Sequence, residues 1–247
     1  MKKILLLLLA LTLFFPAFAQ YQPENPLTHE MTEEERERLP EVLRDFYPTD
    51  PPDPPVRMVA EFEHMQGVLV RYPFGVPVSL IAEMSENVVV TTIVNGFSEQ
   101  QTVTNIYQGA GVNMENTDWL TAPSDSYWTR DYGPWFVVNG NNDVGISNFP
   151  YNRPSRPNDN DIPIALANHL GVELYGMPLI HTGGNWMCDG WSTGASTELV
   201  VEENPSLSTD SIGSLVENYL GIERYFVIDD PLGDYIKHID CWSKFLD

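Results

Sequence analysis

Trp128-Thr129-Arg130-Asp131-Tyr132-Gly133-Pro134-Trp135-Phe136 sets an acid between aromatic rings and ends in Gly–Pro, a turn dipeptide that leads into an apolar strand. A carboxylate held against indole faces suits a planar, delocalised cation: it accepts paired N–H bonds while a ring stacks on the cation's face. That describes a guanidinium pocket. A Trp-flanked aspartate also occurs as a buried turn acid, so the reading needs a second segment, and His238-Ile239-Asp240 supplies it. With Lys237–Leu246 read as a strand, the period of two puts His238 and Asp240 on one face and Ile239 and Cys241 on the other. Asp240 then binds one edge of the guanidinium, Asp131 holds a second, and a histidine, which ordinarily titrates near neutrality, moves protons. On this geometry Cys241 faces away from whatever His238 and Asp240 hold. The alternative is a satisfied strand histidine next to a turn acid.

Around these segments the chain alternates short strands and helices. Gly67–Tyr72 reads as an apolar strand, Val78–Ser85 as a helix with Leu80, Ile81 and Met84 on one face, and Val88–Val94 as a buried β-branched strand. Ser98 is the expected cap of the next helix, with Glu99 in its first turn and Gly109 and Gly111 at its end. Pro134–Asn139 and Asp143–Pro150 read as hairpin strands around Asn139-Gly140-Asn141-Asn142. Ile162–Leu170 is helical up to Gly171, and Ser208–Leu220 is helical up to Gly221. Val172–Met177, Thr197–Glu202 and Tyr225–Ile228 are the remaining expected strands. Helix–strand units at roughly 40–50 residues point to a repeat architecture, although residue identities do not visibly repeat.

The N-terminus reads as a secretory signal over residues 1–19: Lys2 and Lys3, the apolar run from Ile4 to Phe15, then Ala17-Phe18-Ala19. The run is too short for a confident membrane span, a retained anchor being the other reading. Residues 20–57 are rich in proline and charge, with Glu33–Arg38 as their only helical patch, and read as an extended arm or pro-segment outside the core. Residues 58–247, about 190, suffice for one domain with a real core. Asp and Glu number 35 against 13 Lys and Arg, which argues against a nucleic-acid partner because phosphates need a basic face. The acidity fits cationic peptides as partners, or simply solubility. The two cysteines, Cys188 and Cys241, are too few for a disulfide scaffold, though one bridge between them stays open.

Two further segments carry chemistry. His181–Gly190 contains Thr182-Gly183-Gly184-Asn185, whose glycines can bring backbone against a ligand. Its His181 and Asp189 are possible metal ligands, but no further His/Cys spacing supports zinc, and its Cys188 reads as packing more than as a reactive thiol. Tyr151–Asp159 places Arg153 and Arg156 on a proline-braced loop. Such a pair clamps a carboxylate bidentately, or else offsets acidic neighbours such as Asp159 and Asp161.

In this order and combination, the four segments resemble the guanidino-modifying enzymes of the five-bladed α/β propeller (pentein) fold. The resemblance is to secreted bacterial peptidylarginine deiminases of the porphyromonad type, with agmatine deiminases more distant, and it covers about Ala60 to Asp247. It implies an α/β pentein-type propeller, incomplete in this chain, with the last blade or blades missing. It also implies Asp131 and Asp240 as guanidinium ligands, His238 as general acid/base, and Trp128 as a pocket wall. Arg153 and Arg156 match the pair that holds the α-carboxylate of a C-terminal arginine, and Tyr235 contacts the same end of the substrate. The implied reaction is thiolate attack on the guanidinium carbon, loss of ammonia, and hydrolysis of the thiouronium to citrulline, with no metal or organic cofactor.

The chain departs from the family pattern twice. It stops before the family's nucleophilic cysteine, so it reads as an N-terminal fragment that cannot complete the reaction. Its clamp reads Arg153-Pro154-Ser155-Arg156, one residue longer than the family's Arg–Pro–Arg. Arginine-containing peptides or proteins outside the cell are the expected partners, with no nucleic acid and no stable membrane insertion after signal cleavage. A small-guanidine hydrolase of the agmatine deiminase kind, and a non-catalytic secreted guanidinium binder, are the alternatives. A gene that ends at Asp247 favours the binder.

Overall fold

The computed structural model describes residues 31–233 and 236–246. The secretory signal, residues 20–30 of the arm, and Tyr235 therefore lie outside the described residues. Helix α1 (Glu33–Arg38) opens on a capping box: Thr32 Oγ1 accepts from Glu35 N at 3.2 Å, and Glu35 Oε2 accepts from Thr32 N at 2.9 Å. The chain then runs along the domain to β1 (Arg57–Met58). Thr49 N donates to Gly176 O at 3.1 Å and Gly140 N to Asp53 O at 2.7 Å. A Cβ at Gly140, Gly176 or Gly221 would collide with the backbone of Pro54, Tyr47 or Val56, so glycine at these points lets the arm lie close. The expectation of an arm outside the core is corrected at Met31 and Glu35, both buried. The capping box turns the Glu35 side chain inward, where Ser155 meets it.

The first unit is β2 (Gly67–Arg71), α2 (Val78–Ser85), β3 (Val89–Val94), α3 (Phe97–Ala110) and β4 (Thr117–Thr121), a parallel sheet in the order β2-β3-β4. Its core packs Val70, Ile81, Val90, Val94, Val103 and Tyr107. Leu80 does not join them. It is 47% exposed, because one helical step of 100° carries it off the face on which Ile81 and Ser85 are buried. Ser98 is not the cap of α3, which begins one residue earlier, after Gly96. Glu99 closes that end instead, its carboxylate accepting from Asn95 N at 2.8 Å. Gly111, at φ 77°, ends the helix as expected.

The second unit holds α4 (Thr129–Tyr132), β5 (Trp135–Val138), β6 (Val144–Asn148), α5 (Pro157–Asn160), α6 (Ile162–Leu170) and β7 (Glu173–Gly176). β5 and β6 form the expected hairpin, β7 adds in parallel to β6, and β1 pairs with β5, giving the order β1-β5-β6-β7.

The third unit holds β8 (Met187–Cys188), β9 (Thr193–Thr197), α7 (Leu199–Glu202), α8 (Thr209–Leu220) and β10 (Arg224–Ile228), in the sheet order β10-β9-β8. Here Thr197–Glu202 is not a strand. The ladder runs through Thr193–Thr197 and ends where Thr197 pairs with Ile228, after which Glu203 N bonds Leu199 O at 2.9 Å and the chain turns helical. Units two and three share one order: an antiparallel hairpin, a helix, and a parallel third strand. Trp135, Phe149, Tyr151, Met177, Trp186 and Ile212 belong to the core cluster that joins them.

Lys237–Leu246 is not a strand either. Ile239–Cys241 forms a 3₁₀ turn, with Cys241 N on His238 O at 3.2 Å and Ser243 N on Ile239 O at 2.9 Å. Ile239 holds the turn down by packing against Met187 and Ala195. Among the described residues no helix is long and apolar enough to cross a membrane.

Candidate active site

Asp131 sits on the single turn α4, between Trp128 at its start and Gly133 at its end. The loop leading in is fixed by buried Asp159, which accepts from Asp125 N at 2.7 Å, Ser126 N at 3.0 Å and Ser126 Oγ at 2.6 Å. Asp159 is therefore spent on the Asp125–Ser126 segment and is not simply a counterion for the neighbouring arginines. The Trp128 ring lies against Tyr127, centroids 4.8 Å apart.

The turn Gly183–Asn185 is laid against α4. Gly184 N donates to the Asp131 carboxylate. A Cβ on Gly184 would lie 2.8 Å from Asp131 Oδ1 and run into His238 Nδ1, and one on Gly183 would strike Arg130 O. The Gly–Gly pair thus brings backbone against the site's own acid, and no other residue fits there.

His238 is buried, its Nδ1 3.6 Å from Asp131 Oδ1. It is held from behind: Asn185 Oδ1 accepts from Thr197 N at 2.8 Å, and Thr197 Oγ1 donates to Lys237 O at 2.6 Å. Lys237 takes a left-handed backbone at φ 51°, and its Nζ lies 3.1 Å from Glu198 and 2.6 Å from Glu202, which raise its pKa.

Burial pushes the Asp131 carboxyl up to about 6. The Arg153 and Arg130 charges and the Gly184 N–H pull against that rise, while Asp240 adds to it by repulsion. Burial likewise raises Asp240, opposed first by Arg130. A buried carboxyl whose ionisation a neighbouring acid opposes makes a place where an added cation is stabilised.

Asp240 is already in part engaged. Arg130 Nε lies 3.5 Å from its Oδ2, Arg130 Nη2 donates to Trp186 O at 2.8 Å, and Arg130 also pairs with Glu61, which Lys244 contacts in turn. The expectation that Cys241 faces away from Asp240 is corrected: in a 3₁₀ turn strand alternation does not apply, and the Cys241 thiol is near enough to the Asp240 carboxyl to oppose the rise of its pKa. Cys188 is buried in packing, and burial pushes its thiol up to about 11; the two cysteines are not joined by a disulfide.

Arg153 and Arg156 lie on the loop before α5, and both are buried. Arg153 Nη1 donates to Asn152 O at 3.0 Å and to Asn152 Oδ1 at 2.7 Å, and Asn152 Nδ2 donates to Glu203 Oε1 at 2.7 Å. Arg153 acts electrostatically on Asp131, which ties the loop to the acid cluster.

His181 is buried against Trp135 and Trp186, its pKa pushed down to about 4 by burial, and Asp189 accepts the N–H groups of Trp191, Ser192 and Thr193. Among the described residues no group of His, Cys, Asp and Glu is arranged to hold a metal.

Asp131, His238 and Asp240 are thus brought together, Arg153 acts on Asp131 electrostatically, Trp128 starts the turn that carries Asp131 with its ring against Tyr127, and Tyr235 lies outside the described residues. Sequence reasoning missed the Arg130–Glu61–Lys244 network and the Thr197–Lys237 support. Neither has a motif, because each joins residues far apart in the chain.

Residues 57–247 match the family model described as Porphyromonas-type peptidyl-arginine deiminase. A Marinomonas sp. protein named "Putative agmatine deiminase" is 32% identical over 125 residues, covering 46% of this chain and 34% of that protein. A protein of the same name from Legionella pneumophila (strain Paris) is 28% identical over 167 residues, covering 64% and 46%. The chain therefore spans less than half the length of these relatives. Two solved structures share its fold. Agmatine deiminase of Enterococcus faecalis superposes with a TM-score of 0.62 at 21% identity, covering 77% of this chain and 58% of that one. The C. jejuni agmatine deiminase superposes with a TM-score of 0.63 at 17% identity, covering 78% and 60%.

Proposed function

The chain belongs to the Porphyromonas-type peptidyl-arginine deiminase family, and from that premise we propose that it carries the guanidinium-binding half of a secreted enzyme that hydrolyses arginine in peptides or proteins, with C-terminal arginine preferred, to citrulline and ammonia. The observation that carries the reading is the convergence of Asp131, His238 and Asp240, with the Asp240 charge opposing ionisation of buried Asp131. Asp131 and Asp240 accept the guanidinium N–H groups, Trp128 covers its face, and Arg153 with Arg156 and Tyr235 hold the substrate's terminal carboxylate.

In the reaction a thiolate attacks the guanidinium carbon, His238 passes a proton to the departing nitrogen, and ammonia leaves. Water, deprotonated by His238, then attacks the thiouronium carbon and releases citrulline and the thiolate. Cys188 is too deeply buried and its thiol titrates too high for that attack. We assign the thiol to residues beyond 247, as the family resemblance implies and in keeping with the greater length of the relatives.

A small guanidine such as agmatine is the second reading. The names of the relatives favour it, and so does the burial of Arg153 and Arg156 against internal partners.

Calorimetric titration with a peptide ending in arginine, with agmatine, and with a lysine-ended control tests both. Tightest binding of the arginine peptide supports the first reading and tightest binding of agmatine the second. Equal or absent binding of all three removes the guanidinium pocket.

A further inference from the structure

The arm brings a carboxylate to the loop that carries Arg153 and Arg156. Glu35 is buried at 8% exposure, 120 residues away in sequence from its partner Ser155, whose hydroxyl donates to Glu35 Oε1. Ser155 stands between the two arginines. The other oxygen, Oε2, accepts from Thr32 N and Thr32 Oγ1 at 2.9 and 3.2 Å. Burial alone would raise the Glu35 pKa, but the bonds from Ser155 and Thr32 together with the Arg153 charge hold it below the usual value, so the group is ionised at neutral pH.

With α1 docked, Met31 and Arg36 of the arm close over Arg153 and Glu203, and the crevice between them keeps about 10 Å³ of free volume, around the limit for one water and too little for a substrate carboxylate. The strap from Tyr47 to Val56 is tied to the domain through Gly140, Gly176 and Thr49. Glu35 is therefore a tethered anion, and tethering gives it an effective concentration no free ligand matches easily.

We propose that Glu35 is a specificity-determining residue, a resident carboxylate that competes with the substrate's terminal carboxylate for the Arg153–Arg156 loop. Substrates without a carboxylate enter with the arm in place, and those with one must displace it. This inference rests on the guanidinium-pocket reading above and adds the control of its carboxylate end.

Glu35→Gln isolates the charge, because glutamine serves equally at the third position of a capping box and keeps α1 closed. Two peptides of one sequence ending in arginine, one a free acid and one an amide, are titrated into the full chain and into the variant. If the Glu35 charge holds the arm on the loop in most molecules, removing it frees the loop by the fraction the arm had blocked, so Glu35→Gln binds the free acid about fivefold tighter or more while the amide is unchanged. In the unmutated chain, saturation with the acid but not the amide speeds hydrogen exchange over residues 33–38.

Equal gains for both peptides, no gain for either, or an arm whose exchange ignores bound acid overturns the proposal while leaving the guanidinium pocket standing. Failure of both peptides to bind either protein overturns the pocket reading and the competitor role with it.

Discussion

Asp131→Asn should stabilise the protein while removing its ability to bind a guanidinium, and only above a definite pH. The carboxyl is 14% exposed, and burial raises its pKa from 3.8 to about 6. An acid whose folded pKa lies above its unfolded value contributes stability that is fully present below pH 3.8 and lost as pH rises through about 6. The rise corresponds to ~3 kcal/mol of differential interaction, an upper figure for one group. Asparagine removes the ionisation and still offers an oxygen to Gly184 N.

Urea unfolding at pH 4 and pH 8 reads this directly. The two proteins should differ little at pH 4, and the Asp131→Asn variant should be more stable by up to ~3 kcal/mol at pH 8. Titrating groups remote from Asp131 are common to both proteins and cancel in the difference. A stability gap that is the same at both pH values, or a less stable variant at pH 8, would refute the claim that the site holds a buried acid at a cost.

Three further outcomes can be measured. Gly184→Ala places a methyl against Asp131 and His238, two side chains packed too closely to retreat; it should cost ~1–3 kcal/mol of stability and at least tenfold in guanidinium affinity by titration, and an unchanged affinity would separate that backbone from the site. Iodoacetamide at pH 8 should label Cys241 in the folded protein but not Cys188, whose thiol titrates near 11; mass spectrometry of native and unfolded samples decides it. Glu203→Gln should raise stability at pH 8 and not at pH 4, since burial lifts the Glu203 pKa to about 7 against 4.5 unfolded; loss of stability at pH 8 would mean that its charge is needed opposite Arg153 and Arg36.

Much of the fold was legible because the helices are punctuated. Gly111, Gly171 and Gly221 each take a left-handed backbone where an apolar helical pattern stops, and the hairpin turn lies at Asn139–Asn142 as its residue types require. The misreadings share a cause: local composition was outvoted by partners distant in sequence. Leu199-Val200-Val201 looks like a strand, yet the ladder is satisfied one segment earlier, so the apolar run turns helical and buries Leu199 and Val200. Thr117–Thr121 and Thr193–Thr197 escape a reading by pattern because threonine, aspartate and glycine weaken it, although parallel neighbours complete both.

At the site, residue types carried most of the signal. Asp131, His238 and Asp240 do converge, but through a 3₁₀ turn pinned by Ile239 and not through strand alternation. That difference returns Cys241 to the side of Asp240. The pairing of Glu35 with Ser155 had no signal: Thr32 and Glu35 stand three apart as a capping box requires, but nothing local says that the fold brings Ser155 to that glutamate.

The most direct test is a crystal structure of the chain with a bound peptide ending in arginine. A guanidinium pocket of this design should hold the cation between Asp131 and Asp240, with N–H to oxygen distances of about 2.8 Å, Arg130 withdrawn from Asp240, and the guanidinium plane against Trp128. A peptide seated elsewhere, or a guanidinium that leaves the Arg130–Asp240 pair in place and touches neither acid, would contradict it.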